Sequence, residues 1–230
     1  MLLTIVVTVF NEKDTVIEAI RQVEKLDLEK EIIVVDNCST DGTRELLKTY
    51  PGTAVQMVLQ ERNYGYGQSI ITGCDMARGE YLYVHNADLE YDPSHVHEMI
   101  EWANREGYDA VFGSRLAHRS TSYLRLIRER PYYLAAVIST WMINAFYGTN
   151  FTDIIGSKFY RMSSLRKLYP ISDRSITFDF EVVSKLCKRG YRIKEIPVSY
   201  QPRSRKEGKK IKMFDSLPAL VAMLKVKLFD

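Results

Sequence analysis

Five apolar, largely β-branched runs recur along the first half of the chain, and each is separated from the next by a helix-like stretch. This alternation is what most constrains the fold. The runs are "LLTIVVTVF", "EIIVVD", "AVQMVLQ", "EYLYVHNAD" and "DAVFGS". The first is continuously apolar, the pattern of a strand covered on both faces. Helix patterns follow at about Asp14 to Leu26, in "STDGTRELLKTY", in "GYGQSIITGCDMA" and in "DPSHVHEMIEWANREG". In the last of these, Asp92 is the expected N-cap and Pro93 the first helical residue. Strands alternating with helices predict an α/β fold with a mostly parallel central sheet flanked by helices.

The second half reads differently. Ser114 to Pro131 is polar and basic, the composition of a loop, and residues 132–147 form a strongly apolar helix with large aromatics. "SITFDFEVVSKLCKRGY" contains a helix ending at Gly190. "RIKEIPVSY" is strand-like, and Pro197 places it at an edge or bulge. The tail from Ile211 to Phe229 is helical, with Pro218 near its middle or at its true start.

The 230 residues suit one large domain, or a domain with a modest extension. With 46% hydrophobic residues a sizeable core is affordable, and a net charge of +3 does not argue for nucleic acid. Cys38, Cys74 and Cys187 lie far apart and read as reduced intracellular thiols. The N-terminus lacks the features of a signal peptide, and no stretch reaches about 20 uninterrupted apolar residues. The expected location is cytoplasmic, extending to the inner face of the membrane.

Chemistry gathers where the strands end. In "YLYVHNADLEYDP", Asn86, Asp88 and Glu90 fall at every second position, so an extended backbone points all three the same way. Such oxygen donors can hold Mg2+ or Mn2+ against a phosphate. The first strand ends in Asn11 and Glu12. The second ends in Asp36 and Asn37, followed by Ser39, Asp41 and Gly42, and the fifth ends in Ser114 and Arg115. In open α/β sheets ligands bind at the carboxyl ends of the strands, so this edge reads as a nucleotide site. Each residue taken alone also fits a turn or a helix cap.

"TVFNE", "EIIVVDNCSTDGT", "NYGYGQSIITG", "ARGEYLYVHNADLE" and "GYRIKEIPVSY", in this order over about residues 3–210, resemble the family 2 glycosyltransferases of the glycosyltransferase A fold. The group they look most like is that of the dolichol-phosphate mannosyltransferase-like enzymes. The resemblance implies a single Rossmann-like nucleotide-diphospho-sugar transferase domain over residues 1–210. Residues 1–115 would be its nucleotide-binding half and 116–210 its acceptor half, with a C-terminal amphipathic helix at 211–230. It implies a donor such as GDP-mannose or a UDP-sugar and an acceptor that is a polyprenyl phosphate or another glycan acceptor. It also implies Mg2+ or Mn2+ as cofactor and inversion at the anomeric carbon. Thr8, Phe10, Glu12, Val35 and Asp36 would hold the donor, together with Asn86 and Ala87. Asp88 and Glu90 would hold the metal. Arg115, Arg203, Arg205 and Lys209 would bring positive charge to the leaving diphosphate. Asp179, in "TFDFE", stands where a catalytic base for a hydroxyl acceptor is expected, and equally where a helix is capped. Asp153 falls in the segment that shapes the acceptor side, or is a turn residue.

The chain departs from this pattern at Asn86, where the family's first metal-binding aspartate belongs, and at Glu90 and Asn37. Either the formal charge has moved along the strand to Glu90 or the metal site is weakened. "GYGQSI" is only a partial dinucleotide fingerprint, since Ile70 replaces a third glycine. His95 and His97 point to different faces of a helix, which argues against a zinc pair. The basic run 203–212 reads as a lid hinged at Tyr200 and Gln201, or as a solvated loop. The helix at 132–147 and the tail, with Lys225 and Lys227 among apolar residues, fit either core or peripheral membrane contact. Two other functions remain open: a catalytically weak sugar-nucleotide-binding or membrane-associated interaction protein, and a sugar-phosphate nucleotidyltransferase. The second is disfavoured because no glycine-rich triphosphate loop follows the first strand.

Overall fold

The computed structural model describes residues 1–52, 54–117, 128, 133–172, 174–203 and 216–229. Seven strands form one sheet: β1 (Leu3–Val9), β2 (Lys30–Asp36), β3 (Val55–Leu59), β4 (Tyr81–Asn86), β5 (Ala110–Ser114), β6 (Ser157–Arg161) and β7 (Ile193–Pro197). Their order across the sheet is β3-β2-β1-β4-β6-β5-β7. β6 alone runs antiparallel, between β4 and β5. The other six strands are mutually parallel.

The helices are α1 (Val16–Glu24), α2 (Thr43–Lys48), α3 (Tyr66–Met76), α4 (Val96–Glu106), α5 (Tyr133–Tyr147), α6 (Met162–Arg166), α7 (Phe178–Lys188) and α8 (Ser216–Phe229). Successive side chains of β1 go to opposite faces, and both faces are covered. Leu3, Ile5, Val7 and Val9 pack with α1 and α4, whereas Val6 packs with α3 and α7. This two-sided burial is why β1 is apolar at every position but Thr4 and Thr8. Thr4 is tied to the Glu31 carboxylate, which also takes the backbone N–H groups of Arg78 and Gly79.

The expected parallel architecture holds. Asp92 accepts from the Ser94 amide, as an N-cap does, with Pro93 opening a 3₁₀ turn ahead of α4. β7 is an edge strand with Pro197 at its end. Pro218 lies in the first turn of α8, so it marks the start of that helix. The sequence pattern missed β6 and α6. β6 reads "SKFYR", and its Lys158 and Arg161 hide the strand, although Lys158 is itself buried at 2% exposure.

After β7 the chain returns to the site. Tyr200 bridges to Tyr91, and the Gln201 amide donates to the Glu90 carbonyl at 2.9 Å. These contacts carry Arg203 over the carboxyl ends of β1 and β4.

Candidate active site

A cavity of about 560 Å³ opens at the carboxyl ends of the parallel strands. One wall comes from the end of β1 and the residues just after it (Thr8, Phe10, Glu12) and from the end of β4 and the loop after it (Asn86, Ala87, Asp88, Glu90). Backbone geometry shapes these loops. Asn11, Cys38 and Leu89 follow β1, β2 and β4 within three residues, and all have positive φ (53°, 63° and 57°). For leucine this conformation is costly, and it is found where the surroundings enforce it. Two of the loops are also laced together. The Asn11 amide donates to Ser39 Oγ and its side-chain oxygen accepts from the Thr40 amide, each at 2.8 Å.

Thr8 Oγ1 donates to Asn86 Oδ1 at 2.8 Å, so the carboxamide of Asn86 is fixed by the neighbouring strand. Asp88 Oδ1 accepts the Glu90 amide at 3.1 Å. Burial, together with the charge of Glu90, pushes the Asp88 carboxyl up to about 6, and Arg203 opposes this. Glu90 is held by the Tyr200 hydroxyl (2.6 Å) and by the Arg203 amide (2.9 Å). The Arg203 guanidinium makes two hydrogen bonds to Glu12, of 2.7 and 3.0 Å. It also lies 3.7 Å from Asp88 and 3.9 Å from Glu90.

Three carboxylates thus already converge on one cation. This is the chemistry a divalent ion requires, but the set is incomplete as a protein-only cage. Among the described residues no group of three His, Cys, Asp or Glu side chains could hold a metal ion. Mg2+ commonly takes one or two carboxylates and completes its shell from water and substrate phosphates. Asp88 and Glu90 fit that role.

Val35 and Asp36 do not line the cavity. Both are fully buried in β2. Asp36 accepts the Ser39 amide through both oxygens, at 3.2 and 3.3 Å, and lies 3.3 Å from the Arg44 guanidinium. Asn37, the next residue, does reach the cavity. Arg115 lines the cavity, but its guanidinium is committed to Asp153, with hydrogen bonds of 2.6 and 2.9 Å. Burial opposes the charge on Asp153, and Arg115 nonetheless holds its carboxyl below the usual range. Arg115 also lies 5.3 Å from the ring centres of Tyr133 and Tyr200. Arg205 and Lys209 lie outside the described residues.

The opposite wall comes from α5 (Ala135, Ser139), from Ile155 and Ile176, and from Asp179 and Phe180 at the start of α7. Thr177 is the N-cap of α7, so Asp179 lies in the first turn and is not the cap. Burial raises the Asp179 carboxyl, with Lys158 opposing. Sequence reasoning missed Tyr66, Ser139 and Ile155 as wall residues. Tyr66 was in reach, since it stands in the quoted "NYGYGQS". The first-turn amides of α3 are not open to a phosphate. Gly67 and Gln68 donate to the carbonyls of Ser175 and Arg174, each at 3.2 Å.

The sequence matches glycosyl transferase family 2 over residues 4–169, most of the chain. The chain belongs to this family. A relative from Pseudomonas aeruginosa, an undecaprenyl-phosphate 4-deoxy-4-formamido-L-arabinose transferase, is 35% identical over 154 residues. That match covers 64% of this chain and 45% of the relative. The protein of the same name from Edwardsiella ictaluri is 28% identical over 214 residues, covering 90% of this chain and 62% of its own. The chain therefore spans roughly half to three-fifths of the length of these curated relatives.

Among solved structures, the Mycobacterium tuberculosis glucosyl-3-phosphoglycerate synthase, in complex with Mn2+, UDP and phosphoglyceric acid, superposes with a TM-score of 0.72. It is 14% identical, and the match covers 99% of this chain and 79% of that one. S. aureus TarS 1-349 in complex with UDP-GlcNAc gives 0.60 at 15% identity, over 98% and 67%. At such identities the likeness establishes the fold, the glycosyltransferase A type expected from the sequence.

Proposed function

We propose that this family 2 chain is an inverting glycosyltransferase that moves a sugar from a nucleotide diphosphate sugar to a polyprenyl phosphate. The observation that carries the reading is one cavity with two unlike walls. One wall is carboxylate-rich and sits at the strand ends, while the other is largely apolar and carries Asp179. The curated relatives named above are undecaprenyl-phosphate sugar transferases, which supports the acceptor class.

Thr8, Phe10, Glu12, Asn86 and Ala87 would seat the donor, with Asp36 bracing the loop beneath. Asp88 and Glu90 would hold Mg2+ or Mn2+, whose contribution when bound is Lewis-acid stabilisation of the departing diphosphate. Arg203 would turn from the carboxylates to the β-phosphate as negative charge grows there. Arg115, fixed by Asp153, would add positive charge from the cavity wall. A phosphate acceptor is already anionic and attacks without a base. For a hydroxyl acceptor, Asp179 would accept the proton, and a carboxyl raised by burial suits that task.

The test is turnover by the purified chain with a panel of UDP- and GDP-sugars, Mn2+ and a short-chain polyprenyl phosphate. Mass spectrometry of the lipid and release of nucleoside diphosphate are the readouts, and the expected product is a glycosyl phospholipid with inverted anomeric configuration. Donor binding without transfer would favour the sugar-nucleotide-binding alternative, whose motivation is the neutral Asn86 at the metal motif. Pyrophosphate release from a nucleoside triphosphate and a sugar phosphate would favour a nucleotidyltransferase.

A further inference from the structure

α5 and α8 pack against one another, and both turn large apolar side chains to solvent. On α5, Ile138 is 45% and Trp141 69% exposed. On α8, Leu228 is 67% and Phe229 84% exposed, with Val221 and Leu224 also exposed. The spacings 138/141 and 221/224/228 place each set along one helical stripe. A tryptophan exposed to this extent is unusual for a face that meets only water.

Two further observations say what covers this face. Its charge has a single sign: neither α5 nor α8 contains an Asp or Glu, and the exposed Lys225 lies between Leu224 and Leu228. The sequence leading into α5, residues 119–130, carries four arginines against one glutamate. The sequence before α8, residues 205–215, carries five Lys or Arg against one glutamate and one aspartate. The face also adjoins the cavity, because Ala135 and Ser139 of α5 line its acceptor-side wall. Among the described residues no helix is long and apolar enough to cross a membrane, so an apolar stripe with basic flanks suits lying in the interface plane.

We propose that the α5–α8 face docks on the headgroup–acyl boundary of an anionic bilayer and so brings the phosphate of a membrane-embedded acceptor to the cavity mouth. The acceptor part rests on the function proposed above, whereas the docking part does not.

The experiment is flotation of the full chain with phosphatidylcholine vesicles, with and without phosphatidylglycerol. Trp141 emission is followed in a Trp102→Phe background. The expected result is binding that needs the anionic lipid and weakens with salt, together with a blue shift of Trp141. The triple variant Trp141→Ser, Leu228→Ser, Phe229→Ser should lose vesicle binding by roughly tenfold or more. It should keep wild-type turnover on a short, water-soluble polyprenyl phosphate, which also shows that it has folded. Transfer to the same acceptor embedded in vesicles should fall with binding. Wild-type chain that stays off anionic vesicles, or a triple variant that binds them as well as wild type, would overturn the docking. Self-association in sedimentation without vesicle binding would assign the face to a second copy. Firm docking with no transfer to any polyprenyl phosphate would reject the proposed acceptor and leave the docking standing.

Discussion

The guanidinium of Arg203 and the carboxylate of Glu12, 191 residues apart in the chain, meet through two parallel hydrogen bonds of 2.7 and 3.0 Å. The same guanidinium stands within 4 Å of Asp88 and Glu90. Arg203 thus neutralises the carboxylates proposed to bind the metal, and a bound diphosphate–metal pair would compete with it for them.

Arg203→Ala should therefore act in two ways. Loss of the charge-assisted contact proposed for the leaving group should lower turnover by roughly ten- to hundredfold, from about 1.5–3 kcal/mol. The exposed carboxylates should also gain more from a cation, so Mn2+ should raise the melting temperature of the variant further than that of wild type. Equal Mn2+ shifts in the two proteins, read by thermal unfolding, would show that Arg203 and the metal do not share these carboxylates.

Asp88 has a pH signature. Its carboxyl is raised from 3.8 to about 6, by burial and then by Glu90. Between those values the folded chain keeps a proton that the unfolded chain has released, so stability falls as pH rises through this window. Above pH 6 the ionised Asp88 costs the fold about 1–3 kcal/mol. Asp88→Asn should remove that cost, melting higher than wild type at pH 7.5 and equally at pH 4, while losing metal-dependent donor binding. Unfolding curves at the two pH values, with calorimetry using UDP, GDP and Mn2+, check both parts.

What the sequence made legible is what depends on local pattern. β1 to β5 are near-continuous apolar runs because helices cover both faces, and the acidic strand ends stand out because polar and acidic residues break the apolar runs there. β6 was hidden because its lysine is buried, against the usual behaviour of that residue. The pairings that tie up the site residues were also out of reach. Nothing local in "SYQPRSR" says that Arg203 crosses to Glu12, or that Arg115 is spent on Asp153. Asp36 looked like a donor ligand for the same reason. Only the folded loop shows its oxygens taken by the Ser39 amide.

His85 and His95 should make the protein acid-labile. The Tyr83 hydroxyl lies 3.5 Å from His85 Nδ1 and 3.1 Å from His95 Nε2. Burial, then His95, lowers His85 to about 3, and burial lowers His95 to about 4. From 6.5 downwards the unfolded chain takes up two protons that the fold refuses, so stability falls with pH by up to roughly 2.7 kcal/mol per unit. His85→Leu should about halve the contribution of this pair. Urea unfolding at several pH values between 4.5 and 6.5 measures the slope, and an unchanged slope would mean that His85 is protonated in the fold.

The Arg115–Asp153 pair is buried, with side-chain exposures of 9% and 0%. Asp153→Asn would leave a guanidinium without its counter-charge and should cost about 3–5 kcal/mol. Replacing both, as Arg115→Met with Asp153→Leu, should recover much of that stability. Activity should not recover, because the positive charge proposed to act from the cavity wall is gone. Asp153 also accepts the Arg115 and Ile155 amides, so a double variant less stable than Asp153→Asn alone would show that the carboxylate, with the pair and these amides together, contributes net stability.

Gly65 gives the last test, because its conformation and its neighbour both forbid a side chain. Its φ is +96°, and a Cβ built there would lie 2.2 Å from the carbonyl oxygen of Arg174. That carbonyl and the next one accept the Gln68 and Gly67 amides, so the 174–175 backbone is pinned to the start of α3. Gly65, Ser175 and Ile176 all line the cavity. Gly65→Ala must push this backbone away, strain the two hydrogen bonds and open the wall, at a cost of about 1–3 kcal/mol. Gly148→Ala is the control. Its φ is also positive, at +67°, but nothing lies within 4 Å of the added carbon. It should cost about 1 kcal/mol and leave the kinetics alone. Gly65→Ala should instead raise the KM for substrate along with its loss of stability. Equal kinetic behaviour in the two variants would mean that the 174–176 wall plays no part in holding the substrate.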